Sequence, residues 1–377
     1  MMETPFEYSK YVFGSNFIGR NKELSLFCNL VRERNNILMY APARTGKKSI
    51  IYNSLEKLRQ ESYDFTVCNI NLFNIRCVEA FMLKYTNELF SCFSQSATEW
   101  VSFLKKYAPS APYIIDESAN KVKFTYLTKD LLTDSQIIEI LRLAEHLSGE
   151  YKTHLLIYLE QFHDILLFDD FNRVATLLEK GWRNITNTNF IFTGDRYNAM
   201  QEIFYKKNFF KNNVDRIKIV PIAEDVFVNH IVKVFSKAGK TAQTELVTNM
   251  YNMVEGDPWY LQHLSSICFD LSKGYLNDKI VDQGMSCLLN LHNFQFNYSI
   301  HFLSKHQIRF IKAVLNGVKK FSKADVLDEY KLNSSANVNR IKEALTKKEI
   351  IAFNEKKEPY FLDPLLKYWL NKYFFVK

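Results

Sequence analysis

Glycine and proline are scarce in this chain of 377 residues, at 11 and 8. Such scarcity excludes long disordered or collagen-type regions. No segment repeats at a fixed period, and no tract is of low complexity. No apolar run approaches the roughly 20 residues that a membrane helix needs, so no membrane partner is expected. The first residues, Met1 to Glu7, lack a basic segment followed by an apolar one, so no signal peptide is expected and a cytoplasmic location is. The six cysteines (28, 68, 77, 92, 268 and 287) form no C-x-x-C pair. They are expected to be buried thiols in a reducing compartment rather than zinc ligands or disulfides. Neither sign of charge dominates strongly, because 49 Lys and Arg against 41 Asp and Glu leave +8. That balance permits an anionic partner without demanding one.

What the chain has in quantity is apolar residues, 47% of the total, enough for more than one core. At about 150 residues per domain, two or three domains are expected. The basic residues thicken toward the end, at Lys319, Lys320, Lys323, Lys342, Lys347, Lys348, Lys356 and Lys357.

The stretch ILMYAPARTGKKSII, residues 37–51, carries the main functional signal. Four apolar residues, Ile37 to Tyr40, suit a strand buried on both faces of a parallel sheet. After Gly46, the residues Ile50, Ile51, Leu55 and Leu58 recur at helical spacing. Strand, loop and helix are the setting of a nucleotide-binding P-loop, G-x-x-x-x-G-K-[ST], whose backbone N–H groups cradle phosphate at a helix N-terminus. Lys47 would reach the outer phosphates. Ala41 stands at the first glycine of the pattern, and Lys48 at the hydroxyl that holds magnesium.

A second run, THLLIYLEQFHDIL (153–166), ends its apolar part at Glu160, as the strand bearing the magnesium carboxylate of P-loop proteins does. Strands are also expected at NFIFTG (189–194), followed by Asp195 and Arg196, and at FTVCNINLF (65–73). Helical stretches between them give an α/β reading with a parallel sheet over the first ~220 residues.

These blocks together resemble the archaeal-type branch of STAND ATPases, relatives of AAA+ proteins with a C-terminal winged helix. NFIGRNKEL (16–24) is similar to the box F-[VI]-G-R-x-x-E-[LI], and YAPARTGKKSI to Y-G-P-R-R-x-G-K-T-S-L. YLEQFHDIL falls on D-E-F-Q-x-[IL]. FIFTGDRYNAMQEIF falls on [IF]-x-G-S-x-x-x-x-M-x-x-[IL]-F, and EGDPWYLQHL on G-x-P-[YF]-Y-[LI]-Q-x-L. The resemblance implies an AAA+-like P-loop domain over 1–220, a helical lid over 221–292 and a winged helix over 293–377. It implies ATP or ADP as cofactor. Phe17, Gly19 and Arg20 would lie near the adenine, with Glu23 opening the next helix. The phosphate loop would run through Ala41, Pro42, Ala43, Arg44, Thr45, Gly46, Lys47, Lys48 and Ser49, with Arg44 at the family's basic position. Glu160 falls at the metal-coordinating aspartate and Gln161 at the catalytic glutamate. Thr193 and Asp195 fall at the γ-phosphate sensor, and Gly256 and Pro258 at the turn into the lid helix.

The departures carry equal weight. Lys48 removes a magnesium ligand, and Ser49, about 100° further around a helix, does not simply replace it. A magnesium ion would rest on Glu160, and Lys48 argues against it. Gln161 is an amide and accepts no proton from water. Asp195 adds an anion where a polar serine is expected. A slip of one residue would instead make Glu160 the base and Leu159 the lost metal ligand; either way one acid is missing.

From Pro221 the sequence turns helical, with AEDVFVNHIVKVFSKAG closing at Gly239 and two further helices around Gly256-Asp257-Pro258. The last ~85 residues read as a helix from SKHQIRFIKAVLNG, a second with Ser322 as its N-cap, a third in SSANVNRIKEALTKKEI, and two short strands around Glu355-Lys356-Lys357. The third helix offers Asn337, Asn339, Arg340, Lys342, Lys347 and Lys348 to DNA. The other use of such a domain is packing on the core, on a protein partner or on a second copy, and Glu343 and Glu349 dilute the basic face. The expected activity is that of a nucleotide-binding switch with weak or absent hydrolysis. The alternatives are an active ATPase serving as motor or defence effector, and a winged-helix DNA-binding or scaffold protein that has lost nucleotide.

Overall fold

A computed structural model describes residues 5–116, 122–127 and 131–375. By its internal contacts the chain forms two compact units. One comprises residues 22–43 and 51–219, the other residues up to 21, 44–50 and 220 onward.

The first unit is built on a five-stranded sheet. Its strands are β1 (Ile37–Tyr40), β2 (Phe65–Asn71), β5 (His154–Glu160), β6 (Thr188–Gly194) and the short β7 (Asp215–Arg216). They run in the order β2-β5-β6-β1-β7, and every neighbouring pair is parallel. The three central strands are buried at every position, as expected where helices cover both faces. The helices before and between the strands are α1 (Asn21–Arg32), α2 (Lys47–Gln60), α3 (Val78–Ser91), α4 (Ala97–Tyr107), α5 (Asp134–Glu150) and α6 (Phe171–Trp182). A hairpin of β3 (Tyr113–Asp116) and β4 (Lys123–Tyr126) and the short α7 (Tyr197–Gln201) complete the unit. Its core is strongly aromatic, with Trp182 packed on Phe190 at 4.4 Å between ring centres and Phe162 on Phe192 at 4.7 Å.

The second unit is helical: α8 (Glu224–Lys237), α9 (Thr244–Met253), α10 (Pro258–Leu271) and α11 (Asp278–His301). Then follow α12 (Lys305–Leu315), α13 (Ala324–Glu329), α14 (Ser335–Lys347), the antiparallel pair β8 (Ile351–Phe353) and β9 (Pro359–Phe361), and α15 (Pro364–Trp369). One hydrophobic core runs from Phe6 through the α8–α11 helices to Leu370.

The expected elements recur with adjusted ends. Ile50, Ile51, Leu55 and Leu58 all point into the core from α2. Gly239, at φ +73°, follows α8 as a left-handed terminator, and Lys240 N–H closes the turn on Phe235 O at 3.0 Å. Two expectations need correction. Ser322 is not the cap of α13: Lys323 takes that position without a side-chain bond. The reason is upstream, where Phe321 is buried and stacked on Phe310 at 4.2 Å, so the chain stays extended through 322 and 323. The cysteines are free but not uniformly buried, because Cys77 caps α3 at an exposed start and Cys287 lies on the outer face of α11. Residues 292 and 293 both lie in α11, a continuous helix of 24 residues.

Candidate functional site

In a parallel sheet all carboxyl ends share one edge, and ligands of open α/β sheets bind outside that edge. Here β6 lies between β1 and β5, with Tyr40 opposite Gly194 and Leu159 opposite Phe192. Ala41, Glu160 and Gln161, and Thr193 to Asp195 therefore leave the sheet at the same edge. The sheet brings together three of the expected sequence blocks that are far apart in the chain.

At the end of β5, Glu160 is buried and its Oε1 accepts from the side-chain amide of Asn69 on β2 at 3.0 Å. Gln161 follows in the left-handed region, φ +54°, which turns its side chain toward β6. Its Nε2 donates to Asp195 Oδ2 at 2.8 Å. Thr193 Oγ1 donates back to Leu159 O at 3.4 Å. The amide nitrogen of Gln161 is thus engaged by Asp195, while its Oε1 is buried and accepts from no donor among the described residues. Among the described residues no cluster of three His, Cys, Asp or Glu side chains could hold a metal ion. Lys48 carries an ammonium where the pattern has a hydroxyl, and an ammonium is no ligand for magnesium.

Past β1 the loop Ala41-Pro42-Ala43-Arg44-Thr45-Gly46 delivers Lys47 as the first residue of α2. Two of its residues take positive φ, Arg44 at +65° and Gly46 at +95°. At Gly46 the torsion, not crowding, requires glycine: a Cβ there would meet nothing within 4 Å. Lys47 is 6% exposed, whereas Lys48 is exposed, as a one-residue step around a helix dictates. Ser49 Oγ accepts from Val12 N–H at 3.1 Å, so its hydroxyl holds the N-terminal segment. Arg44 lies with its guanidinium 3.9 Å from the centre of the Trp259 ring.

The box upstream is built around Gly19. Its φ is +66°, and a Cβ there would collide with the Ile222 side chain. Arg20 is buried and donates to Val220 O and, at 3.3 Å, to Thr45 O, which ties the box to the loop. Tyr8, Phe17, Ile18, Thr45, Gly46 and Pro258 are among the residues lining a cleft of about 540 Å³, its open mouth included. Asp257 caps α10 by accepting from Trp259 N–H and Tyr260 N–H, each at 3.0 Å, with Pro258 as first helical residue. Gly256, at φ +70°, packs under Tyr251. Burial pushes the Asp257 carboxyl up to about 7, against the helix-start N–H groups and the Lys47 ammonium, which pull it down. His263, stacked on Tyr8 at 4.1 Å, is driven by burial down to about 4 and is neutral at pH 7. Asp257, Trp259 and His263 stand beside Pro258 at the start of α10, and sequence reading gave them no role. The only signal was their place in the EGDPWYLQHL block.

The candidate DNA residues differ in exposure. Asn339, Arg340, Lys347 and Lys348 are exposed on α14. Asn337 instead donates to Leu332 O at 2.9 Å. Lys342 is half-buried, its ammonium within 5.6 Å of the Phe353 ring and 5.5 Å of the Phe321 ring, and burial lowers its pKa. These two serve the fold of their own domain.

No protein-family profile and no curated protein matches the sequence. Solved structures do match. The Walker-type ATPase PABY2304 of Pyrococcus abyssi aligns over 97% of this chain and 99% of its own, with a TM-score of 0.68 and 13% identity. The Aeropyrum pernix ORC2 protein, solved as ADPNP-ADP complexes, aligns over 95% and 96%, with a TM-score of 0.53 and 11% identity. No described helix is long and apolar enough to cross a membrane. At such low identity the likeness defines the architecture alone, and that architecture is the P-loop AAA+ fold, a parallel five-stranded sheet with surrounding helices.

Proposed function

We propose that this protein binds ATP or ADP through the loop 41–49 and works as a nucleotide-dependent switch with very slow or absent hydrolysis. The observation that carries the reading is the loop itself: it leaves the central strand β1 with left-handed Arg44 and Gly46 and sets a buried Lys47 at the start of α2. Such a geometry points N–H groups and a cation at an anion. The names of the two similar structures, one an ATPase and one a complex of ADPNP and ADP, agree with this use. Hydrolysis fails for chemical reasons. Phosphoryl transfer relies on a metal to neutralise charge and a base to place water. Lys48 supplies a charge but no ligand, and Gln161 supplies no base. Nucleotide binding is therefore expected to be nearly independent of magnesium.

Residues 293–377 form, in this reading, a winged helix whose main contacts are within the chain. Tyr260 OH donates to Asp363 Oδ2 at 3.0 Å, Trp369 Nε1 to Asn293 Oδ1 at 3.2 Å, and Lys367 pairs with Glu255. Nucleotide state would set the placement of this domain through the α10 helix. The deciding experiment is a thermal shift with ATP and ADP, with and without magnesium. A ligand held only by the folded state must stabilise it, and the absence of any shift at millimolar nucleotide would leave a protein that keeps the fold without the ligand.

A further inference from the structure

The cleft beside the phosphate loop is lined by a buried polar group that the reading above leaves unused. Gln262 stands in the second turn of α10 and is 7% exposed. Its Oε1 is buried and, among the described residues, accepts from no protein donor. It lines the cleft with Tyr8, Phe17, Ile18, Ile222 and Trp259, which form apolar walls suited to a flat ring. Two neighbouring donors are committed: Trp259 Nε1 donates to Tyr8 O at 2.7 Å, and the Arg20 guanidinium donates to Val220 O and Thr45 O. A buried, unpaired amide oxygen is costly to the protein, so a ligand that brings a donor to it gains affinity.

We infer that Gln262 reads the base of the bound nucleotide and selects adenine. This rests on the nucleotide reading above. A primary amide presents an acceptor beside a donor. Adenine presents the complementary pair, the N6 amino donor beside a ring-nitrogen acceptor, along both of its hydrogen-bonding edges. Guanine shows two adjacent acceptors on its N7 side, and on its N1 side the matching pair comes with a 2-amino group that the apolar walls must also admit. The amide therefore accepts from N6–H through Oε1 and donates through Nε2 to the neighbouring ring nitrogen, the pairing by which Gln distinguishes adenine elsewhere.

The test is calorimetric titration of the full chain with ADP, purine riboside diphosphate (which lacks the 6-amino group), GDP and tripolyphosphate, on the natural protein and on Gln262→Leu. The natural protein is expected to bind ADP about 10- to 100-fold more tightly than the other two nucleosides. In Gln262→Leu that preference should fall below about threefold, with tripolyphosphate affinity unchanged. Gln262→Glu, which keeps the size but sets a second oxygen against the ring nitrogen, should weaken ADP. A preference retained in Gln262→Leu overturns the inference, as does a natural protein that treats the nucleosides alike while binding tripolyphosphate. Failure of both ADP and tripolyphosphate to bind would instead remove the nucleotide reading, and this inference with it. Should Gln262→Leu not fold, the ADP to purine riboside comparison on the natural protein still decides.

Discussion

The side-chain amide of Gln161 donates to the carboxylate of Asp195 at 2.8 Å, joining the end of β5 to the end of β6. The resemblance sets a catalytic glutamate at the first position and a neutral serine at the second. The two departures are a single change in physical terms. An amide is a good partner for a carboxylate, whereas a glutamate there would face a like charge.

Gln161→Glu alone should therefore lower stability at neutral pH by about 1–3 kcal/mol, through a lost charge-assisted bond and the new repulsion. The repulsion raises the folded-state pKa of the pair, so the loss should fade as pH falls through that value. Adding Asp195→Ser should restore stability at pH 7. Melting temperatures of the two variants between pH 4 and 8 check this; an unchanged Gln161→Glu would mean that the bond carries nothing.

Lys47→Ala should abolish stabilisation by nucleotide. At a ligand concentration 100 times Kd the natural protein should gain about 2.7 kcal/mol, and the variant none. A variant that shifts as much as the natural protein would take Lys47 away from the phosphates.

Turnover by the natural protein should lie far below about 1 per second, an ordinary rate for such enzymes. The pairing of Gln161 with Asp195 means that Gln161→Glu cannot rescue it alone. The triple change Lys48→Thr, Gln161→Glu, Asp195→Ser restores ligand, base and sensor together and should raise phosphate release about 10²–10⁴-fold, the usual range for a placed base. An ordinary rate in the natural protein would show that Lys48 and Gln161 do not occupy the roles given to them.

The Asp257 carboxyl, pushed up to about 7 by burial, makes stability depend on pH. Unfolded, the group titrates near 3.9. Between about pH 4 and 7 the folded state keeps a proton that the unfolded state has released, so stability should fall as pH rises, by up to about 1.4 kcal/mol per pH unit, and level off above 7. Asp257→Asn retains a capping side chain and should flatten that slope. Urea midpoints at several pH values compare the two; parallel curves would mean that Asp257 titrates normally.

Duplex DNA should bind weakly and with little salt dependence. Each neutralised phosphate adds about 0.9 to the slope of log affinity against log salt. Arg340, Lys347 and Lys348 are exposed, but Lys342 is folded into its own domain. A slope of several units, lost on Lys347→Ala with Lys348→Ala, would make the domain a DNA reader after all.

Local chemistry alone determined a good deal here. The four apolar residues before Ala41, the helical spacing after Gly46 and the apolar run before Glu160 mark strands and helix by their own periodicity, so these elements stand where the sequence puts them. The capped starts at Ser304, Ser334 and Asp257 are likewise short-range hydrogen bonds. Periodicity misses β7, two residues long, because that strand exists only through its pairing with β1. It also misplaces the start of α13, which the burial of Phe321 decides. Partnership is the part that only the tertiary structure decided. That Gln161 meets Asp195, that Arg44 lies on Trp259, and that Ser49 holds Val12 are contacts between residues 34, 215 and 37 positions apart. No local propensity encodes such pairs; the order of the strands and the packing of α10 bring them together.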